Sequence, residues 1–192
     1  MTAILERPQQ KVSLSARLYT AEEVEAMPSH RRVELVRGEL SIMPNNSAEH
    51  GDKTMRLSAY VSYFVYEKSL GKCFAAETRF IVERNPDTLL APDFAFVAAE
   101  RLTDFPTKGY LDLAPDLIFE TRSPSDTRRP FALKIARWLS AGVKLVWAID
   151  PATQTVTVHR TGENPRTLGI EDTLTGEDVL PGFEFALERL FR

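Results

Sequence analysis

Asp116-Leu117-Ile118-Phe119-Glu120-Thr121-Arg122-Ser123-Pro124-Ser125-Asp126 opens as an apolar run of strand type and closes in a turn of Ser, Pro and Asp. Glu120 stands where the run gives way to the turn. Burying a carboxylate is costly unless it is paired, hydrogen-bonded or bound to a metal. Strand side chains alternate, so Glu120 and Arg122 share one face, and Leu117, Phe119 and Thr121 the other. A carboxylate and a nearby cation at the end of a strand are groups that metal-dependent phosphodiester hydrolysis uses. The competing reading is a solvated surface pair on an edge strand, where such pairs are common and contribute little.

Downstream, the pattern predicts a helix over Phe131–Ala141, with Pro130 in or just before its first turn and Gly142 closing it. Phe131, Ile135, Trp138 and Leu139 form its apolar stripe, and Lys134 borders that stripe at helical spacing. Val143–Ile149 is a continuous apolar strand. Asp150-Pro151 makes a turn, and the alternating Thr155–His159 pairs back as a hairpin. Arg166–Ile170 is a weaker strand, and Phe185–Phe191 is apolar enough to pack on the body.

Upstream, Leu90–Val97 reads as one short strand with Asp93 at its beginning, Pro92 being acceptable there. Cys73–Ala76 and Thr78–Glu83 read as strands close together or continuous through Glu77. Ser47 opens a long helix to about Ser69, with Leu57, Tyr60, Val61, Phe64 and Val65 as its buried stripe and Gly71 as its left-handed cap. Glu49 and His50 fall in its first turn, where the dipole favours a carboxylate. The bland readings are a helix-capping role for Glu49 and a satisfied surface imidazole for His50. Val33–Met43 is a hairpin broken at Arg37-Gly38, inside which Glu34 reads as a solvent-facing residue. Thr20–Met27 is a short helix with Glu23 at the capping-box position. Residues 1–17 form a polar, mobile tail, and residues 18–192 one domain. The alternation of helices and strands indicates an α/β or α+β fold with a mixed sheet.

The 192 residues are 43% hydrophobic and 27% charged, a globular composition. No apolar run is long enough to span a membrane, and Met1–Gln10 lacks the apolar core of a signal peptide, so a cytoplasmic location with no membrane partner is expected. Cys73 is the only cysteine, which excludes an internal disulfide and a cysteine-rich zinc site, and it reads as an inert thiol. The net charge of −3 gives no global attraction to nucleic acid, so such binding needs a local basic patch. Arg128, Arg129 and Arg137 supply one, unless they are simply a solvated helix start.

Asp93, Glu120 and Lys134 then line up as the candidate site. Hard divalent cations take carboxylate oxygens and keep several waters. A neighbouring ammonium positions water or steadies the charge that grows on phosphate oxygens. Glu49 or Glu34 can supply a further carboxylate.

At these residues the chain resembles a known family. Pro92-Asp93 followed by Glu120-Thr121-Arg122 is similar to the PD-(D/E)xK pattern of restriction-endonuclease-like nucleases, with Arg122 at the lysine position. More specifically, it resembles the Uma-type restriction endonuclease family, a bacterial domain of unknown function. The resemblance rests on Arg32–Leu40, Glu49-His50-Gly51, Ala91–Val97, Pro115–Asp126, Lys134, Ala141–Pro151 and Leu174–Phe183.

It implies a restriction-endonuclease-like α/β core, a central mixed β-sheet flanked by helices in a single domain. It implies a Mg²⁺- or Mn²⁺-dependent endonuclease acting on DNA, with a non-catalytic binding module on the same fold as the alternative. Asp93 and Glu120 would bind the metal, with Glu49 as a further candidate ligand. Lys134 would be a displaced catalytic lysine whose ammonium points between Asp93 and Glu120. Arg122, His50, Ser123 and Arg128 would contact substrate. Arginine keeps its proton at neutral pH, so Arg122 can clamp phosphate but cannot act as a base. A two-fold homodimer is the default for a double-strand cutter.

Overall fold

The computed structural model describes residues 17–28, 32–43, 46–102, 108–124 and 126–192. The expected mobile tail, apart from Arg17, lies outside the described residues.

The chain begins with helix α1 (Ala21–Glu25), which Thr20 and Glu23 close with a reciprocal capping box. The hairpin β1 (Val33–Val36) and β2 (Glu39–Ile42) comes after it. It turns at Arg37 and Gly38, both at positive φ, as the favoured two-residue hairpin turn requires. Helix α2 (Ala48–Glu67) starts at Ser47, whose hydroxyl accepts from the His50 amide. Four strands come next, β3 (Gly71–Ala75), β4 (Phe80–Glu83), β5 (Thr88–Leu90) and β6 (Phe94–Ala98), then a 3₁₀ turn, Ala99–Arg101. The opening stretch forms β7 (Leu117–Thr121), and helix α3 (Arg128–Ser140) succeeds it. The chain ends with β8 (Leu145–Asp150), β9 (Thr155–His159), β10 (Arg166–Leu168), β11 (Thr173–Gly176), β12 (Leu180–Ala186) and α4 (Glu188–Phe191).

Among the described residues the strands make three sheets. A six-stranded mixed sheet runs β10-β9-β8-β7-β6-β3, in which only β7 and β8 are parallel. Parallel neighbours need a crossover, and α3 provides it. A four-stranded antiparallel sheet runs β2-β1-β5-β4, and β11 pairs with β12. The second sheet corrects two expectations. Residues 73–83 do not continue through Glu77, which turns at φ 73 and sends β4 into the smaller sheet. Residues 90–97 are likewise two strands, divided at Ala91-Pro92-Asp93. Gly71 is also not the cap of α2. Ser69 takes the left-handed conformation (φ 53), and Gly71 begins β3, where a Cβ would stand 2.1 Å from the Val97 carbonyl.

Alternation along the large sheet builds two cores. Leu117 and Phe119 face α2, packing with Leu57, Val61 and Val65 and with the β12–α4 segment. Ile118 faces α3, packing with Ile135 and Trp138. Tyr60 is not part of the buried stripe of α2; it lies at its margin, 42% exposed, against the Phe185 ring. β7 sits between β6 and β8 and is buried throughout, so it is a central strand and not an edge.

Candidate active site

The site lies where β6 begins and β7 ends. These strands pair antiparallel with Phe94 opposite Phe119, and those two rings stack at 4.9 Å. One register step further stand Asp93 and Glu120, so both carboxylates cap the same end of the same strand pair. Asp93 replaces the next ladder bond with its side chain: Oδ2 accepts from the Thr121 amide at 2.7 Å. The same oxygen meets His50 Nε2 at 2.9 Å, and both side chains are more than nine-tenths buried. Helix α2 thus delivers His50 to Asp93, and Thr54, one turn on, donates to the Thr121 hydroxyl. Glu49, the neighbour of His50, is exposed.

Glu120 is only 3% exposed and points to the α3 layer. Trp138 Nε1 donates to its Oε1 at 2.8 Å, and Lys134 Nζ lies 2.9 Å from the same oxygen and 3.0 Å from Oε2. Lys134 also donates to the Ala91 carbonyl and pairs with Glu34 Oε1 at 3.2 Å. Its ammonium is therefore seated between Glu120 and Glu34, and not between Glu120 and Asp93 as the resemblance implied. The reason is the second sheet, in which β1 carries Glu34 against α3. Glu34 is 6% exposed and accepts from the Ala91 amide, so it is no solvent-facing residue. The pattern VELV suggests an ordinary half-exposed strand; the burial of Glu34 beside Lys134 agrees instead with the other reading of the sequence, a further carboxylate near the candidate site.

The charge balance of this cluster is uneven. Two buried carboxylates, Glu34 and Glu120, share the Lys134 ammonium, and a third, Asp93, lies near enough to add its charge. Burial pushes the Glu120 pKa up; Lys134 pulls it back, while Asp93 and Glu34 push it further, to about 8. Burial alone would lower the pKa of Lys134, but Glu120, Glu34 and Asp93 outweigh it and hold the ammonium above its ordinary value. Among the described residues no three His, Cys, Asp or Glu side chains form a ready-made metal cage. Hard cations such as Mg²⁺ need no such cage. They bind through one or two carboxylates and complete their shell with water and phosphate. An all-oxygen donor set with surplus negative charge fits that class of ion.

The other predicted residues are placed differently. Arg122 is clamped in a bidentate pair with Asp150 (2.7–3.0 Å) and donates to the Asp126 carbonyl at 3.2 Å. Ser123 is buried, and its amide donates to the Asp126 carboxylate. Arg128 and Arg129 are exposed in the first turn of α3. Cys73 is raised to about 11 by burial, which leaves an unreactive thiol.

A mixed sheet flanked by helices, with acidic residues and a lysine gathered at the end of its central strands, defines a nuclease-like α/β fold. The chain belongs to the Uma2 family, described as "Putative restriction endonuclease", whose model matches residues 21–188. Among solved structures it is similar to one described as a "putative nuclease belonging to DUF820" from Anabaena variabilis. That similarity has a TM-score of 0.78 and 20% identity, covering 90% of this chain and 97% of that one. No curated protein matches. Among the described residues no helix is long and apolar enough to cross a membrane.

Proposed function

We propose that the protein is a Mg²⁺- or Mn²⁺-dependent endonuclease that hydrolyses phosphodiester bonds in DNA. The observation that carries this is the gathering of Glu34, Asp93 and Glu120 around Lys134 at the end of β6 and β7. Asp93 and Glu120 would hold the ion. When bound, such an ion supplies Lewis-acid activation of phosphate and a more acidic water.

The chain's own groups prepare the rest. His50 and the Thr121 amide fix the Asp93 carboxylate, and the Trp138 indole fixes Glu120, so neither has to reorganise when the negative substrate arrives. Lys134, kept protonated by its neighbours, donates to the phosphate oxygen on which charge grows, or orients the attacking water. Arg128 and Arg129 meet backbone phosphates outside the pocket, a contact that weakens with salt. We take the working form to be a two-fold homodimer, which sets one site on each strand of a duplex. We place it in the cytoplasm, where a lone free thiol is the ordinary state.

The test is plasmid cleavage with Mg²⁺ or Mn²⁺, wild type beside Glu120→Gln. Cleavage by the wild type that Glu120→Gln abolishes supports the reading. An inert wild type, or a Glu120→Gln variant that cuts normally, removes it.

A further inference from the structure

We infer that Arg122, the cation at the motif's lysine position, is not a phosphate contact but a positioning residue. Its pair with Asp150 sets where α3 lays Lys134 and Trp138 against Glu120. The inference rests on the nuclease reading for its kinetic consequence, but not for its structural one.

Arg122 lies just past β7 and Asp150 ends β8, so the parallel register that places Thr121 beside Ile149 brings these two side chains together. The Arg122 amide donates to the Ile149 carbonyl at 2.8 Å, which extends that pairing by one residue. Nε and Nη2 hold both oxygens of Asp150, and Nη1 holds the Asp126 carbonyl. All three guanidinium nitrogens are thereby engaged, Nε and Nη2 by the Asp150 carboxylate and Nη1 by the Asp126 carbonyl. The side chain is 15% exposed and its charge is matched by a carboxylate 22% exposed, so little net charge faces a phosphate. Asp150 is fixed in turn by the Ala152 amide.

The grip on Asp126 matters because Asp126 leads directly into α3. Asp126 exchanges bonds with Ser123, its amide to the Ser123 carbonyl and its carboxylate to the Ser123 amide, closing a tight turn. Thr127, next in line, is the N-cap of α3, yet its side chain makes no capping bond. The start of α3 is thus held by a turn hung on Arg122 rather than by its own cap. Two turns along the helix, Lys134 and Trp138 reach Glu120.

Three variants test this: Arg122→Gln, Arg122→Lys and Asp150→Asn. Lysine keeps the charge but cannot reproduce a bidentate fork. For a latch, all three lower kcat about 10- to 100-fold, as small misplacements of catalytic groups do. KM and the Kd for a DNA duplex in EDTA stay within about twofold, and the salt dependence of binding keeps its slope. Arg122→Gln with Asp150→Asn is no worse than either alone, as expected of one unit.

A second readout needs no activity. The chain has two tryptophans, so its amide spectrum carries two indole N–H signals. Arg122→Gln shifts that of Trp138, bonded to Glu120, and leaves that of Trp147, on the α2 side, in place. The inference is overturned by a weaker Kd with a salt slope reduced by about one, which marks a lost phosphate contact. It is equally overturned by rescue with Arg122→Lys, or by an unmoved Trp138 signal. An inactive wild type removes the nuclease reading, and the indole signals then decide the latch alone.

Discussion

Asp116 and Glu120 stand at the two ends of the same strand, and both are buried, at 1% and 3% exposure. Their charge environments are opposite. Asp116 accepts from the Ala98 amide at 2.9 Å and meets Arg101 at 2.9 Å and Lys144 at 2.8 Å. Burial pushes its pKa up, but the amide and the two cations outweigh that and hold it below the ordinary value. Glu120 has one cation, which it shares with Glu34 near another carboxylate, and its pKa is pushed to about 8. One carboxylate has more positive charge than it needs and closes the fold. The other has less and is suited to a further cation. Burial alone does not distinguish the two carboxylates, whereas the local charge count does, and it is the under-compensated one that the proposed function uses.

The largest effect expected from this contrast is at Lys134. Lys134→Ala is expected to reduce cleavage by about 10²- to 10⁴-fold, the range for losing a positioned donor or proton-transfer group, with DNA affinity held. Steady-state kinetics beside a binding isotherm read both, and near-normal kcat would return Lys134 to a purely structural ion pair.

Asp116→Asn is expected to act on stability instead. It should cost about 1–3 kcal/mol, the penalty for disturbing a buried, bonded carboxylate, read from the urea midpoint. Cleavage per folded molecule should not change. A variant of wild-type stability with impaired cleavage would break the comparison.

The smallest effect is in the pH dependence. The folded state keeps a proton on Glu120 up to about pH 8, while the unfolded chain loses it near 4.5. The native state therefore binds more protons across that window, and the stability contributed by this group is lost as pH rises through it. Asp116 has the opposite sign: its depressed pKa contributes stability above its ordinary value of 3.8, lost as pH falls through the folded value. In EDTA, the Tm of the wild type relative to Glu120→Gln should decline from about pH 5 to 8, and Mg²⁺ should flatten the difference. A parallel pair of curves would show that Glu120 is ionised throughout.

Much of the molecule was legible locally. The capping box of Thr20 and Glu23, the Ser47 cap, the turn at Arg37-Gly38 and the close at Gly142 depend on neighbours a few residues away, so their chemistry is written in order along the chain. Asp93, Glu120 and Lys134 were legible for a related reason: each is a charged residue set where an apolar pattern predicts burial. The sequence did not show that residues 71–83 and 88–98 each divide between two sheets, because either piece pairs equally well with several partners until the whole sheet is assembled. Nor did it show that Glu34 is buried beside Lys134, 100 positions away, or that Arg122 belongs to Asp150, 28 positions away. Capping and periodicity are short-range and act within one element. The burial of Glu34 and the capture of Arg122 depend on what packing and register bring opposite them, and that was decided only when α3 and the smaller sheet met at the end of β7.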